Sequence, residues 1–305
     1  MRTVTWLLVL AGVGIAVAGI AAILGQAASG AQPWSNELSD NFVFIKAIPF
    51  VLGLGVVVGL LGGTPSRGAH ATRTDGAVRR FSRTSIFLHW VITLGFLLAL
   101  PTGVWQYLGG ILDVNAPLPL YLIYRVHYIG ASVILFSLAA YVSYGWMSRD
   151  RSLLVPLGQW RSHLRGLMDE LPRAISSRIA GLLRVNMREA APRAGTFTFY
   201  EKVVSFPSWT FVLVLITVTG LVKAARFGVE LPGLFVYLNS TLHVTAMVLI
   251  VVKILDHLRY TVARWPMMVA MVTGWLPARQ PDARHAPAAE STGSNAAGAL
   301  GGSDP

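Results

Sequence analysis

Six long apolar runs dominate the sequence, and each is about as long as a helix that crosses a lipid bilayer. Such a helix needs roughly 20 mostly apolar residues. Hydrophobic residues make up 54% of the chain and charged residues 13%, whereas soluble domains have about 25% charged residues. The sequence therefore predicts an all-α integral membrane helical bundle. The runs lie at about 4–24, 43–62, 84–107, 120–147, 204–224 and 235–260.

The first run has two interpretations. Small residues at 26–31 suit cleavage of a secretory signal, but the run is longer than the roughly 7–15 apolar residues of a signal core. We favour a retained helix, which forms an N-terminal transmembrane hairpin over residues 1–62. A basic linker follows at 63–79, then a four-helix core at 80–276. The tail at 277–305 is rich in small and polar residues, and we predict that it is disordered.

Basic residues set the predicted orientation. The chain has 25 basic and 14 acidic residues, a net charge of +11, and most of the basic residues lie between apolar runs. In a soluble protein this charge would suggest nucleic acid, but here it predicts lipid headgroups and no nucleic-acid partner. Segments 63–83 and 148–203 are strongly basic, whereas 25–42 and 108–119 have no basic residue. Because basic loops stay on the cytoplasmic side, we expect both ends of the chain to be cytoplasmic.

The loop at 148–203 is the largest feature on the predicted inner side. Arg161 and Arg165 recur at helical spacing, as do the arginines at 184–188, which suits amphipathic helices lying on the headgroups. A plain positive-inside loop is an equally good interpretation. The apolar stretch at 265–276 is too short to span a bilayer, and we expect it to lie in the interface.

Four of the seven histidines fall inside predicted spans, where imidazoles are costly and usually functional. His243 and His257 are 14 residues apart, so they face nearly the same side of one helix at depths about 21 Å apart. In the predicted orientation His127 is level with His243 near the outer surface. His89 is level with His257 near the inner surface. The other three lie in polar segments, and we expect them to be solvated: His70, His163 and His285.

Two imidazoles at each level, on different helices, suit bis-histidine axial ligation of haem. Zinc takes three or four protein ligands, so two per level favour haem. A proton relay also uses membrane histidines but does not require two matched levels. The plain alternative is that each imidazole only hydrogen-bonds a neighbouring helix. The chain has no cysteine, which excludes disulfides, thiolate-held iron–sulfur clusters and covalently attached haem.

Several other residues near these levels are candidates for a role. Gly103 and Gly220 suit either close helix packing or a slot for a flat macrocycle. Lys253 and Asp256, three residues apart, either pair with each other or contribute Asp256 to proton transfer. Four arginines are candidate partners of haem propionates, although positive-inside bias alone explains the first two: Arg80, Arg83, Arg259 and Arg125.

Four segments between residues 80 and 276 carry a family resemblance. They are RFSRTSIFLHWVITLGFLLALPTG at 80–103, RVHYIGASVILF at 125–136, TFYEKVVSFPSWTFVLVLITVTGLV at 198–222 and LHVTAMVLIVVKILDHLRYT at 242–261. They resemble the haem helices of the cytochrome b, or gamma, subunit of respiratory formate dehydrogenases. The cytochrome b subunit of nickel–iron hydrogenases is similar but less close.

The resemblance implies a four-helix bundle in a bacterial plasma membrane, preceded by two additional helices, that holds two b haems. By residue-for-residue matching, His127 and His243 are the iron ligands of the outer haem. His89 and His257 are the iron ligands of the inner haem. The family also implies an iron–sulfur partner subunit on the outer side, fed by a catalytic, formate dehydrogenase-like subunit. Electrons then cross the membrane to quinone near the inner haem.

The expected quinone pocket departs from the family pattern. In the family, an Asn and a Gly at the start of the third core helix shape this pocket. The corresponding residues are Thr198 and Tyr200, followed by Glu201 and Lys202. Quinone reduction is the only chemistry that we expect on this chain.

Two other function classes compete with an electron conduit. A haem-free membrane anchor or assembly scaffold for a peripheral oxidoreductase would leave the four histidines dispensable. A channel or transporter is disfavoured, because the spans contain few charged residues and no inverted repeat.

Overall fold

The structure is a computed structural model that describes residues 7, 10–15, 17–18, 37–63, 73–74, 76–112, 118–149, 151–183, 197–226 and 228–277. Five of its helices are long and apolar enough to cross a membrane, and they match the second to sixth predicted runs: Val43–Gly62, Arg83–Leu112, Leu120–Ser148, Glu201–Ala225 and Gly233–Ala263. The predicted run at 4–24 lies largely outside the described residues, and its described residues are helical. The predicted disordered tail was placed at 277–305, but Pro277 lies in a strand, and residues 278–305 lie outside the described residues.

The predicted all-α membrane bundle is confirmed, with one small sheet that the sequence did not predict. The helices are α1 (Glu37–Gly62), α2 (Arg83–Leu112), α3 (Leu120–Ser148), α4 (Trp160–Glu170), α5 (Arg173–Leu183), α6 (Phe206–Ala225), α7 (Gly233–Ala263) and α8 (Trp265–Thr273). A 3-10 helix (Leu157–Gln159) precedes α4, and a π-helical turn (Glu201–Ser205) leads directly into α6. The strands are β1 (Arg73–Thr74), β2 (Ala77–Arg79) and β3 (Trp275–Pro277).

Glycines allow α1 to lie directly against α3. A Cβ atom at Gly55 would collide with the carbonyl oxygen of Phe136, and one at Gly59 would collide with that of Ala140. Lipid is as apolar as the side chains, so close backbone packing holds helices together inside a bilayer. Gly55, Gly59 and Gly63, spaced four residues apart, therefore form the α1–α3 seam, the line of glycines along which α1 packs on the core.

A second glycine contact joins α2 to α3. A Cβ atom at Gly130 would lie 2.6 Å from the backbone nitrogen of Ala99, and one at Gly95 would lie 2.8 Å from Ile134 Cγ1. The N-terminal helical residues dock in the same way, since a Cβ at Gly12 would lie 3.1 Å from the carbonyl oxygen of Gly53.

The helices form two groups that meet along one boundary. Helix α3 packs between α1 and α2, and α6 packs on α7. Close backbone approaches between the groups are sparse and join α2 to α7 and α1 to α6. The four membrane histidines lie on α2, α3 and α7, so both predicted levels bridge this boundary.

We call the end at which α2 begins and α7 ends the inner end, following the predicted orientation. Here β2 pairs antiparallel with β1 and with β3, and buried Val78 faces buried Leu276 across the second pair. The Arg80 N–H donates to the Gly274 carbonyl at 2.8 Å. Gly274 ends α8 with a φ of +87°, a conformation that favours glycine. The sheet thus ties the chain before α2 to the predicted interfacial stretch at 265–276.

The basic inside loop contains two helices, α4 and α5, and α4 carries Arg161 and Arg165 at the predicted helical spacing. The expectation that His163 is solvated was wrong. Its side chain is 7% exposed, its Nδ1 donates to the Gln159 carbonyl at 2.9 Å, and its ring contacts Phe199 edge-on. It belongs to the small core that holds α4 against the start of α6. His70 and His285 lie outside the described residues.

We predict that Gly59→Leu lowers the free energy of unfolding by about 1–3 kcal/mol, because a side chain there meets the α3 backbone. The measurement is thermal unfolding of the detergent-solubilised protein. Gly145→Leu is the matched control, since a Cβ at Gly145 meets nothing within 4 Å. Equal effects of the two substitutions would contradict the α1–α3 seam.

Candidate functional site

His89 of α2 and His257 of α7 face each other at the inner end. Their ring centroids are 6.1 Å apart and their ring planes are tilted by 56°. Two imidazoles on opposite sides of one metal ion have ring centres roughly 6 Å apart, since each metal–nitrogen bond is about 2 Å and each nitrogen lies about 1 Å from its ring centre. The spacing of the inner pair therefore fits two ligands of one iron.

Two tryptophans contact the inner pair, although His257 itself is exposed. Trp90 contacts His89 edge-on with ring centroids 5.6 Å apart, and Trp209 of α6 contacts His257 in the same way at 6.2 Å. Lys253 Nζ lies 5.7 Å from the Trp209 ring centroid. The inner imidazoles are therefore held by packing on three helices.

His127 of α3 and His243 of α7 lie on either side of the same boundary at the outer end. A Cβ at Gly103 of α2 would lie 3.1 Å from His127 Cε1 and 3.9 Å from Met247 Sδ of α7, so the His127 ring lies against α2 beside the boundary with α7. Met247 is one turn from His243 on that helix. The structure thus brings the inner couple together and places both outer imidazoles at the other end of the boundary.

Hydrogen bonds fix which nitrogen of each outer imidazole carries the proton. The Thr219 hydroxyl donates to the Leu215 carbonyl at 2.7 Å, so its oxygen accepts from His243 Nδ1 at 2.9 Å. The Ala99 carbonyl, which can only accept, lies 2.9 Å from His127 Nδ1. Both imidazoles therefore carry their proton on Nδ1. Neither Nε2 atom has a hydrogen-bond partner in the part of the chain that the structure describes, so both lone pairs can bind a metal.

Each outer imidazole is contacted by a Thr-Gly pair, at 102–103 for His127 and at 219–220 for His243. The hydroxyl of the first Thr lies 3.3 Å from His127 Nδ1, and a Cβ at the second Gly would lie 3.3 Å from His243 Cε1. Each glycine leaves room for an imidazole ring. The space at these glycines, predicted to serve either helix packing or a macrocycle, is therefore occupied by a histidine side chain. The threonines were missed from the sequence. Their signal was the repeat of Thr-Gly on two helices, each opposite a membrane histidine.

Arg80 is the best placed of the four predicted propionate partners. Its Nε and Nη1 atoms are buried and have no hydrogen-bond partner within the described part of the chain. The guanidinium lies 5.1 Å from the Phe197 ring centroid and 5.9 Å from that of Phe81. Burial lowers the pKa of this side chain. A buried cation without a partner is costly, and an anionic group of a bound ligand would satisfy it.

The other three arginines are more exposed or engaged with protein groups. Arg83 is exposed. Arg259 is also exposed and donates to Asp256 at 2.8 Å. Arg125 lies over the Tyr121 ring at 5.2 Å on the outer side, two residues from His127.

Two of the predicted quinone residues form a capping box that begins the third core helix. The Thr198 N–H donates to Glu201 Oε2 at 2.7 Å, and the Glu201 N–H donates to Thr198 Oγ1 at 3.1 Å. Glu170 of α4 accepts the next two N–H groups, from Phe199 at 2.8 Å and Tyr200 at 2.9 Å. The loop helix therefore anchors this helix start, a role of Glu170 that had no sequence signal.

Tyr200 connects the helix start to the inner imidazole pair. Its hydroxyl donates to Asp256 Oδ2 at 2.9 Å, and Asp256 directly precedes His257. Burial and this hydrogen bond raise the pKa of the Tyr200 phenol. The predicted Lys253–Asp256 pair is present, with 3.8 Å between Nζ and Oδ2. Asp256 thus links a tyrosine, a lysine and a ligand candidate.

Lys202 faces a different place from the other three predicted quinone residues. It lines a cavity of about 550 Å³ whose remaining walls are mostly apolar side chains of residues 153–164 and 203–211. Glu201 points the other way, with Oε1 3.4 Å from Tyr260 Oη and 3.8 Å from Arg264 Nη1. The π-helical turn separates this polar cluster from the apolar cavity, and such turns are frequent at functional sites.

Comparison with known proteins identifies a family. The family model described as prokaryotic cytochrome b561 matches residues 80–274, more than half of the chain. Comparison with curated proteins and with solved structures gives no match. The family match supports the hydrogenase-type part of the resemblance, and the formate dehydrogenase assignment stays a prediction. The chain belongs to the prokaryotic cytochrome b561 family and is an integral membrane b-type cytochrome of electron transfer.

Proposed function

We propose that the chain holds two b haems, the inner one between His89 and His257 and the outer one between His127 and His243. The observation that carries this proposal is the 6.1 Å separation of the inner ring centroids. The fixed Nδ1 protons of the outer imidazoles support the second site. Haem iron with two imidazole ligands supplies one-electron transfer and keeps no open coordination position. The protein's own residues bind, orient and shield these groups.

Electrons enter at the outer end and leave at the inner end in this proposal. By the family resemblance, an iron–sulfur partner subunit brings electrons from a catalytic subunit of the formate dehydrogenase type. The chain itself has no cysteine to hold such a cluster. Both chain ends are cytoplasmic in this arrangement. Moving one charge through a potential of 100 mV costs about 2.3 kcal/mol, so the donor must be more reducing than the acceptor by more than that.

Quinone is the proposed acceptor at the inner end. The apolar cavity beside Lys202 suits an isoprenoid tail, and the π-helical turn separates it from the polar cluster. Reduction of a quinone to a quinol takes two electrons, which come from the inner haem in this proposal, and two protons. We propose that the Tyr200 hydroxyl donates these protons in turn and is reprotonated from the inner aqueous side through the Asp256 carboxylate, 2.9 Å away.

A haem-free anchor or scaffold for a peripheral oxidoreductase is the competing function. It requires no relation between the two imidazoles of a level. The spacing of the inner pair favours the cytochrome, because a scaffold gives no reason for two imidazoles at the separation of two ligands of one metal ion.

We predict that substitution of the histidines removes haem in couples. His127→Ala and His243→Ala each lose the outer haem, and His89→Ala and His257→Ala each lose the inner one, because bis-histidine coordination fails without one ligand. The measurement is haem content with low-temperature optical spectra of each purified variant. His163→Ala, outside both levels, is the control. A spectrum shared by the His89 and His243 variants would refute the pairing.

We predict that Arg80→Met weakens retention of the inner haem, because its guanidinium, of which Nε and Nη1 are buried, is the proposed partner of a propionate. Haem content after purification falls below that of the native chain, and the loss is confined to the inner haem. The matched control is Arg83→Met, since Arg83 is exposed. Full haem retention in the Arg80 variant would exclude this role.

We predict that Tyr200→Phe lowers the rate of quinone reduction by roughly 10²-fold with haem content unchanged, because proton transfer by a positioned side chain contributes on that scale. The measurement is the single-turnover rate at which a quinone analogue oxidises the pre-reduced protein, followed by stopped-flow absorbance. Tyr237→Phe, at an exposed position on α7, is the control. An unchanged rate would remove Tyr200 from the proton route.

A further inference from the structure

Each outer imidazole donates a hydrogen bond to the protein from Nδ1, which leaves Nε2 as the nitrogen that would bind a metal. His127 Nδ1 donates to the Ala99 carbonyl and His243 Nδ1 donates to Thr219 Oγ1, both at 2.9 Å. The Thr219 hydroxyl is itself held by its donation to the Leu215 carbonyl at 2.7 Å. These acceptors are rigid, since both are set on transmembrane helices.

The inner imidazoles differ. Across the described ranges, no ring nitrogen of His89 or His257 has a hydrogen-bond partner, and the ring contacts are with Trp90 and Trp209. Threonines are present at this end too, but Thr93 and Thr261 donate to the backbone carbonyls of the two histidines instead, at 2.8 Å and 2.6 Å. The two imidazole couples therefore differ in hydrogen bonding: the outer rings donate to protein acceptors, whereas at the inner end the threonines bond the histidine backbone.

This asymmetry has a consequence for redox potential. An acceptor on Nδ1–H makes an imidazole more basic, so its Nε2 donates more electron density to a bound metal. Stronger donation stabilises the oxidised metal and lowers the reduction potential, and hydrogen bonding of axial ligands is one of the means by which a protein tunes haem.

We infer that Thr219, acting through His243, lowers the potential of the outer site below that of the inner site, and that this difference directs electrons inward. The Ala99 carbonyl acts in the same sense through His127. Thr219 is a positioning residue in this scheme, because it touches the imidazole and not the haem. The inference rests on the proposed function and adds to it a cause for the direction of electron flow.

A nearby cation acts in the opposite sense. Lys223 lies one turn beyond Thr219 on α6, within electrostatic range of both outer histidines. Positive charge favours the reduced metal, so Lys223 raises the potential of the outer site. The effect of Thr219 must therefore be measured with Lys223 unchanged.

The test is a spectroelectrochemical redox titration of the full chain in lipid nanodiscs. Thr219→Val removes the acceptor at nearly constant volume, and Thr219→Ser retains it. At the potential where the native outer haem is half reduced, we expect a severalfold higher reduced-to-oxidised ratio in the Val variant and an unchanged ratio in the Ser variant. Thr93→Val is the matched control, because its hydroxyl bonds a histidine carbonyl and not a ring. It should alter neither haem.

The two haems are told apart in a His89→Ala background, which retains only the outer one under the proposed pairing. An unchanged outer titration in Thr219→Val, or a native outer haem of higher potential than the inner, would overturn the inference. If the Val variant loses the outer haem, Thr219→Ala is titrated instead. Loss of the haem from both shows a role in retention and overturns tuning. A native chain without two haems contradicts the proposed function itself.

Discussion

An imidazole nitrogen without a partner is costly inside a lipid bilayer, because no water is present to supply one. An unsatisfied polar group there costs several kcal/mol. His127 and His243 satisfy Nδ1 with a carbonyl and a threonine hydroxyl, and among the described residues Nε2 of each has no hydrogen-bond partner. That free nitrogen is the chemical reason to expect a ligand at the boundary between the two helix groups. The packing of the helices sets the positions of these rings.

Glycines bring the helices of the first group into close contact. Gly55 and Gly59 bring α1 onto α3, and Gly95 and Gly130 bring α2 onto α3, so the first helix group is a tight backbone-to-backbone assembly. Close contacts between this group and the α6–α7 pair are sparse by comparison. The helices of the first group pack closely, and few close contacts cross the boundary. This arrangement suits a boundary that accepts a flat cofactor.

The sequence predicted the five described spans, their order and the meeting of His89 with His257, because hydropathy and helical rise are local properties. It did not predict the sheet that joins Val78 to Leu276, because two- and three-residue strands have no periodic signal. The prediction that His163 is solvated was wrong. An arginine-rich loop indicates solvent exposure, whereas the burial of His163 comes from the packing of α4 on Phe199, which is a tertiary contact. Residues such as Thr219 and Glu170 act through tertiary contacts that no spacing rule contains. The family match covers the core and agrees with the local signals.

The central claim is that the four membrane imidazoles bind two haems as two couples. The most direct measurement is the haem b content per chain of the purified native protein, by the pyridine haemochrome spectrum, together with the electron paramagnetic resonance of the oxidised protein. The account predicts two haems per chain and two low-spin bis-histidine signals. A colourless protein from haem-sufficient cells, or a single haem per chain, would contradict it.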